Sequence, residues 1–244
     1  MPTYRERAVV LRTYKLGETD RIVHLLSRGR GKVRAVAKGV RRPGSRIGGR
    51  LEPYSHVDLQ LYEGRNLDTV NQVELREPHA SVRADHRLSA AAAVMCELTD
   101  QVAQEGEADE VLYQLLLAGL AALAADPPEP AVFVDAFLLR AAAIAGFHVD
   151  ATACAICQRP GPHAFLSVKV GGTLCPDHAP TGTRAVAPEV VALLASLVSP
   201  GRWAALPGEV AADPAAHRVA ASYTRAFVEH HLHRQLRSYD LVPR

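Results

Sequence analysis

Apolar and polar residues alternate with a period of two through most of the first 80 residues. The segments RAVVLRTY, RIVHLLS and GKVRAVAKGV are short runs rich in β-branched residues or leucine, and the last alternates basic side chains with Val and Ala. Two further strands are predicted in HVDLQLYEGRNLDTVNQVEL, where EGRN forms the turn. Five short strands in about 75 residues, mostly without helices between them, predict a closed five-stranded barrel of the OB type.

The pattern changes to a helical period near Pro78. In residues 81–105, apolar side chains recur three or four positions apart, at Leu88, Ala91, Met95, Leu98 and Val102. Further helices are predicted over 109–125, 131–147, 187–198 and 213–238, and the segment DPPEP separates the first two of these. The helix over 131–147 is apolar on almost every side, so it is expected at the centre of a helical bundle.

These elements predict an α+β multidomain protein. The expected domains are an OB-type nucleic-acid-binding barrel over 1–79, a helical domain in two parts over 80–150 and 183–244, and a zinc-finger insert over 151–182. In the last helix, Asp213 is a candidate N-cap, and Pro214 follows it at the first helical position.

Composition narrows the cellular context. No apolar run reaches the roughly 18 residues that a membrane span requires, and the opening residues place charges where a signal peptide needs apolar ones. Four cysteines in 244 residues do not form the dense pattern of a disulfide scaffold. We therefore expect a protein of the reducing cytoplasm.

The formal net charge of +2 conceals a strong asymmetry along the chain. Residues 1–50 contain 14 Lys and Arg against 3 Asp and Glu, whereas residues 81–150 contain 3 against 11. A basic region of this density is the electrostatic signature of a polyanion-binding surface.

The segment KGVRRPGSRIGGR, residues 38–50, carries five of these cations, four glycines and no acid. Such a run is either a solvated surface loop or a flexible arm that follows a phosphate backbone. It continues a basic strand, its arginines suit phosphate oxygens, and OB barrels commonly bind single strands on strands and loops of this kind. Only four Tyr, Phe or Trp residues occur in the first 80, so backbone tracking is favoured over base-specific contacts.

The basic region and the last predicted helix supply the candidate DNA contacts. For the terminal helix, a solvated basic face is an equally good interpretation. The candidates are Arg12, Lys32, Arg34, Lys38, Arg41, Arg42, Arg46 and Arg50 of the barrel, and Arg225, Arg234 and Arg237 near the end of the chain.

A second motif predicts a metal site. Cys154 and Cys157 form a C-x2-C pair, and Cys175 and His178 form a C-x2-H pair after 17 intervening residues. Each pair can direct two ligands to one point, and the intervening segment supplies a hairpin. Three thiolates and one imidazole complete a tetrahedral site, so we expect one structural Zn²⁺ per chain in a zinc-ribbon-like module.

Two alternatives to structural zinc are weaker. The four residues could be unrelated loop residues, but the paired spacing argues against coincidence. A catalytic zinc would need an open coordination position and a nearby general base. Asp177 is the only acid inside the motif, and its position beside a ligand suits an outer role better. His163 lies outside the paired spacing.

The order of these elements resembles that of the RecO family of bacterial recombination mediators. The GETD turn, the KGVRR segment and the following LEPY are similar to that family's OB domain, and EHHLHRQLRS is similar to its closing helix. The cysteine pairs fall where the family places its zinc finger. One departure is His178, where many members have a fourth cysteine.

The resemblance implies a non-enzymatic DNA-repair protein without a catalytic residue. It implies binding of ssDNA and dsDNA, annealing of complementary strands, and cooperation with RecR so that RecA displaces the single-strand-binding protein SSB. The residues support DNA binding independently, whereas the partners and a nucleoid-associated location come from the resemblance alone.

Two other functions compete with this one. An RNA- or ribosome-associated OB protein with a zinc ribbon is compatible with the same charge pattern. A metal-dependent hydrolase or nuclease would need clustered carboxylates or an open zinc, and the first 50 residues contain only Glu6, Glu18 and Asp20. The sequence contains no Walker loop, dinucleotide fingerprint or serine-elbow motif.

Overall fold

The computed structural model describes residues 2–45, 47–201, 203–206, 208 and 213–243. The chain divides into two compact units, residues 1–124 and residues 125–244. The division lies beside the proline-rich segment 126–130, which interrupts the helical pattern.

The first unit contains a closed five-stranded barrel, as predicted. Its strands are neighbours in the order β1-β2-β3-β5-β4, and β4 pairs with β1 to close the ring. All neighbours are antiparallel except β3 and β5, which are parallel. The strands are β1 (Thr3–Leu16), β2 (Asp20–Ser27), β3 (Gly31–Ala37), β4 (His56–Tyr62) and β5 (Asp68–Glu77).

Strand β1 belongs to both sides of the barrel because it bends. Its pairing with β2 shifts register between Val10 and Arg12, while Thr3–Val9 pairs with β4. An extra residue at such a bulge kinks a strand and increases its twist, which helps a small sheet to close on itself.

Alternation along the strands fills the barrel interior with small and branched apolar side chains. Burying these surfaces is the main stabilising contribution of the barrel. The buried set is Ala8, Val10, Val23, Leu25, Val33, Ala35, Ala37, Val40, Leu51, Val57, Leu59, Leu61, Val70 and Val73.

The first predicted helix is interrupted at its start. Helix α1 (Ala80–Ala84) ends at Asp85, whose extended backbone and side chain then cap α2 (His86–Val102) by accepting the N–H groups of Arg87 and Leu88. Helix α3 (Glu110–Ala124) follows.

Helices α1, α2 and α3 belong to the same compact unit as the barrel. Helix α2 packs against β1 and β2, so residues 80–124 share a unit with the strands, whereas the sequence suggested one helical domain over 80–150 and 183–244. The four domain bounds stay a prediction.

The second unit is built around α4 (Pro130–Ile144), which is buried throughout residues 130–142, in agreement with its apolar sequence. Helices α5 (Pro188–Val198) and α6 (Pro214–Leu232) pack against it. A small sheet of β6 (Asp150–Cys154), β8 (Gly172–Leu174) and β7 (Phe165–Ser167), in that spatial order, completes the unit.

Helix α6 begins as predicted but ends earlier. Asp213 accepts the N–H groups of Ala215 and Ala216 at 2.9 Å, which confirms the N-cap. The helix ends at His233, whose φ of 51° is left-handed, so the predicted helix up to residue 238 is wrong beyond this point.

Within the described ranges, no helix combines the length and apolar character needed to cross a membrane.

Candidate nucleic-acid interface and metal centre

The outward side chains of β1, β2 and β3 form two rows, and three of the predicted barrel cations lie in one of them. Cross-strand register aligns Arg12 with His24 and His24 with Arg34, and these outward residues, together with Lys32, are called the covered row. The next outward row aligns Tyr14 with Ile22 and Ile22 with Val36, and with Leu16 on β1 it is called the open row. The covered row contacts acidic residues of the protein, whereas Tyr14 and Leu16 of the open row are exposed to solvent.

The covered row converges on one buried carboxylate. Asp100, near the end of α2, is only 5% exposed and forms an ion pair with Arg12. Its Oδ1 lies 3.0 Å from Nδ1 of His24, and its backbone oxygen accepts from Nζ of Lys32 at 2.6 Å. These outward-facing groups are therefore held by the protein itself.

Residues 100–107, called here the acidic strap, extend this cover. Nε of Arg34 lies 2.6 Å from Oε1 of Glu105. The backbone N–H of Lys32 donates to the oxygen of Gln104 at 2.9 Å, so backbone bonding attaches the strap to the start of β3. Three predicted DNA contacts, Arg12, Lys32 and Arg34, are thus paired with groups of the strap, although the side chains of Arg12 and Arg34 remain 43% and 41% exposed.

Gly31 is where the strap comes closest to the strand. Its φ is +63°, and a Cβ at this position would lie 2.0 Å from the backbone oxygen of Glu107 and 2.4 Å from that of Gln104. Glycine is required here on two grounds, the left-handed backbone and the close contact.

The cations of loop 38–45 have different surroundings. Lys38, Arg41 and Arg42 are exposed, and within the described part of the chain none forms an ion pair with a carboxylate. Nη1 of Arg41 donates to the backbone oxygen of Gly17 at 3.2 Å. Their charge is available to a ligand.

The base of this loop is fastened to the β1–β2 turn. The N–H of Arg41 donates to the oxygen of Thr19 at 2.9 Å, and the N–H of Gly39 donates to Oδ1 of Asp20 at 2.8 Å. The bond from Gly39 and a second from the Thr19 hydroxyl hold the pKa of Asp20 below its ordinary value. Its carboxylate therefore anchors the loop backbone.

Two candidate DNA contacts of the barrel remain, Arg46 and Arg50. Arg50 is exposed, and its Nη1 donates to the backbone oxygen of Val73 at 2.8 Å. Arg46 lies outside the described residues.

The terminal candidates do not form one helical face. Nη1 of Arg225 lies 2.5 Å from Asp240 and its Nε lies 3.1 Å from Glu229, which together raise the pKa of its guanidinium. Arg234 and Arg237 are exposed but lie beyond the end of α6.

The predicted metal ligands come together in the second unit. One ligand atom from each of Cys154, Cys157, Cys175 and His178 lies within 4.8 Å of every other. Sγ of Cys175 is 3.2 Å from Nδ1 of His178 and 3.9 Å from Sγ of Cys157. The cluster therefore offers three sulfurs and one imidazole nitrogen to a single ion.

Two tight turns and the β7–β8 hairpin position these ligands. The N–H of Gln158 donates to the oxygen of Cys154 at 2.8 Å, and the N–H of His178 donates to that of Cys175 at 3.0 Å. Nε2 of His163 donates to the backbone oxygen of Arg159 at 2.9 Å, and His163 is not a member of the cluster.

Hydrogen bonding favours the thiolate form of Cys154. Burial alone would raise the pKa of Cys154, but backbone N–H groups of Cys157, Cys175 and Ile156 donate to its sulfur and lower the pKa well below its ordinary value. Asp177 pairs with Arg159 at 2.8 Å and is not a member of the ligand cluster. A closed Cys3His set of this kind fits zinc in a structural role.

Sequence patterns did not identify Asp100, Glu105 or Tyr14 as important to this surface. The excess of acids in residues 81–150 was a signal, but the sequence does not show which acids meet which strand.

The fold and sites define a class: an OB-barrel protein with an exposed basic loop and a Cys3His cluster whose geometry suits a metal ion. Residues 1–79 match the family "Recombination protein O N terminal", and residues 83–240 match "Recombination protein O C terminal".

Relatives that match over their whole length carry the name of the same family. Proteins named "DNA repair protein RecO" from Frankia casuarinae and Cutibacterium acnes are 44% and 43% identical, with 100% of both chains covered. One from a Nocardioides species is 45% identical over 99% of each chain. The chain belongs to the RecO family.

Proposed function

We propose that the protein is a non-enzymatic mediator of DNA repair and homologous recombination that binds ssDNA and dsDNA through loop 38–50. The observation that carries this proposal is the set of exposed cations Lys38, Arg41 and Arg42, which form no ion pair with a carboxylate among the described residues. Membership of the RecO family supports the role in repair and favours DNA over RNA.

Strand annealing follows from the same chemistry. Two single strands repel each other through their phosphates, and bound Lys and Arg reduce that repulsion while displacing counterions. Phosphate contacts leave the pairing edges of the bases free. A protein with a cationic loop can therefore bring complementary strands together without chemical catalysis.

The proposed partners extend the role to recombination. Together with RecR, the protein would help RecA to displace SSB from single-stranded DNA. Family membership supports these partners, and the cytoplasmic, nucleoid-associated location stays a prediction.

The test is DNA affinity as a function of salt. Changing Lys38, Arg41 and Arg42 together to Ala should weaken oligonucleotide binding several-fold or more. The salt slope should become shallower by about two, since each lost contact to a single strand is worth about 0.7. Annealing of complementary oligonucleotides should slow in parallel.

A matched control removes the same charge elsewhere. Lys169, Arg184 and Arg218 are exposed residues of the second unit, and their joint change to Ala lowers the net charge equally. If both triple variants lost the same slope, binding would depend on overall charge and not on the loop, and the proposal would be wrong.

We also propose that the Cys3His cluster holds one structural Zn²⁺. The ion would cross-link the two turns of a module that has only a small core of its own, Cys154, Leu174 and Cys175. The purified protein should contain one zinc per chain by elemental analysis. Cys175→Ser should lose it, whereas Cys96→Ser, at a buried cysteine outside the cluster, should retain it. A native chain that neither contained nor bound zinc would contradict this assignment.

A further inference from the structure

We infer that Tyr14 is a base-stacking residue and that the open row is a platform for unpaired nucleobases. The inference rests on the proposed DNA-binding function and adds a contact to bases, where the sequence predicted contacts to phosphates alone.

The first observation is exposure. Tyr14 and Leu16 are 43% and 38% exposed, although both are large apolar residues on a barrel strand. They are two positions apart, so they extend from the same face of β1. Together they form a small apolar patch that a ligand can reach.

The other aromatic residues of the barrel are less accessible. Tyr54 is buried. The hydroxyl of Tyr4 donates to Asp68, and the guanidinium of Arg30 lies 3.9 Å from the Tyr4 ring centroid. Tyr62 is partly buried on β4. Of these four rings, Tyr14 is the one exposed to solvent.

The platform extends across three strands. Tyr14, Ile22 and Val36 are in register on β1, β2 and β3, and the latter two are partly exposed. Adjacent strands are about 4.8 Å apart, so the row spans about 10 Å, close to the size of a nucleobase. The side chains of this row are apolar and uncharged, so they can contact the face of a base.

Neighbours in the covered row position the tyrosine ring. The His24 and Tyr14 ring centroids are 5.2 Å apart at an interplanar angle of 64°, and the guanidinium carbon of Arg12 lies 5.6 Å from the Tyr14 centroid. Asp100 holds both His24 and Arg12. A ring held in this way loses little freedom when a base stacks on it.

The platform adjoins the cationic loop. Leu16 immediately precedes Gly17, whose backbone oxygen accepts from Arg41. A single strand with its phosphates on the loop can therefore direct its bases toward the open row. Stacking uses the faces of the bases, so their pairing edges remain accessible to a second strand. Bases inside a duplex cannot make this contact, which gives the platform a preference for single strands.

The test compares a dT oligonucleotide with an abasic oligonucleotide of equal length, because the two share phosphates and differ only in bases. Wild-type protein should bind dT more tightly. Tyr14→Ala should weaken dT binding by about five-fold or more, the low end for a lost base–aromatic stack, and leave abasic binding and the salt slope unchanged. Tyr14→Phe, which keeps the ring, should stay within about two-fold of wild type.

Leu75→Ala is the matched control, because Leu75 is also 38% exposed but lies on β5 of the same barrel. It should not alter the preference for dT. The inference is overturned if wild type binds the two oligonucleotides equally, or if Tyr14→Ala keeps the full preference. Binding of neither oligonucleotide would instead refute the DNA-binding function. A Tyr14→Phe protein that folded but lost the preference would assign the effect to the hydroxyl and overturn stacking.

Discussion

The two rows on the outer face of β1, β2 and β3 have different electrostatic surroundings, although basic residues border both. In the covered row, Arg12, Lys32 and Arg34 contact Asp100 or Glu105 of the acidic strap. Beside the open row, Lys38, Arg41 and Arg42 form no ion pair with a carboxylate among the described residues, and Asp20 attracts Arg42 and Lys38 only from beyond ion-pair distance. A basic sequence therefore shows how much charge a region carries, but not how much of it a ligand can reach.

Burial explains why the two groups are not equivalent. A phosphate that replaced Asp100 would have to leave that carboxylate desolvated and unpaired, which costs several kcal/mol. A phosphate that reaches an exposed arginine displaces only water and counterions. The DNA path is thus expected along the loop.

The largest effect is predicted for Asp100→Asn, which should break the covered row. Removing the buried carboxylate leaves Arg12 and Lys32 without its charge and should lower the free energy of unfolding by about 3 kcal/mol. Urea denaturation measures the change. Glu107→Gln, in the same strap but exposed, should change it by less than about 0.5 kcal/mol. A similar small loss for Asp100→Asn would mean that the carboxylate does not hold the row.

The next prediction compares two double variants that each remove two positive charges, one from the loop and one from the covered row. Arg41→Ala with Arg42→Ala should reduce the salt slope of ssDNA binding by about 1.4. Arg12→Ala with Arg34→Ala should reduce it by less than about half of that, because the strap already neutralises these residues. Equal reductions would indicate that the strap opens when DNA binds.

A smaller gain is expected from Glu105→Gln. The pair between Arg34 and Glu105 is exposed on both sides, so stability should change by less than about 1 kcal/mol. The freed arginine should strengthen ssDNA binding by a few-fold in a filter or anisotropy assay, and the salt slope should steepen by up to about 0.7. Glu107→Gln adds the same charge without freeing Arg34. A gain of the same size there would attribute the effect to net charge.

A further effect depends on pH. Burial, and then Arg12 and the other cations of its row, lower the pKa of His24 to about 4, despite its contact with Asp100. The unfolded imidazole binds a proton near its ordinary pKa of 6.5, so the unfolded state takes up more protons between about pH 6.5 and pH 4. Stability should therefore fall as pH falls through this window, and His24→Asn should flatten the fall. An unchanged profile would show that His24 is not the group responsible.

The sequence predicted features that depend on neighbouring residues, and it did not predict contacts between residues far apart in the chain. Alternation along each strand predicted the barrel, and the paired spacing predicted the Cys3His cluster, because both patterns are local. The acidic cover was not predictable, since Arg12 and Asp100 are 88 residues apart and nothing local links them. The break at Asp85 was missed because the apolar period continues across it.

The terminal arginines show the same limit at shorter range. Whether a helix continues past His233 depends on one left-handed backbone angle, and the partner of Arg225 is an acid 15 residues further on. For the same reason, the sequence could not indicate that Tyr14 would be the exposed ring of the barrel.

The close contact at Gly31 also has a genetic consequence. A glycine codon becomes an alanine codon by one nucleotide change, and the added methyl group would meet the backbone oxygens of Gln104 and Glu107. Such an allele would separate the strap from the strand without altering any charged residue. A spontaneous variant at this position would reveal whether cells depend on keeping Arg12, Lys32 and Arg34 paired with the strap.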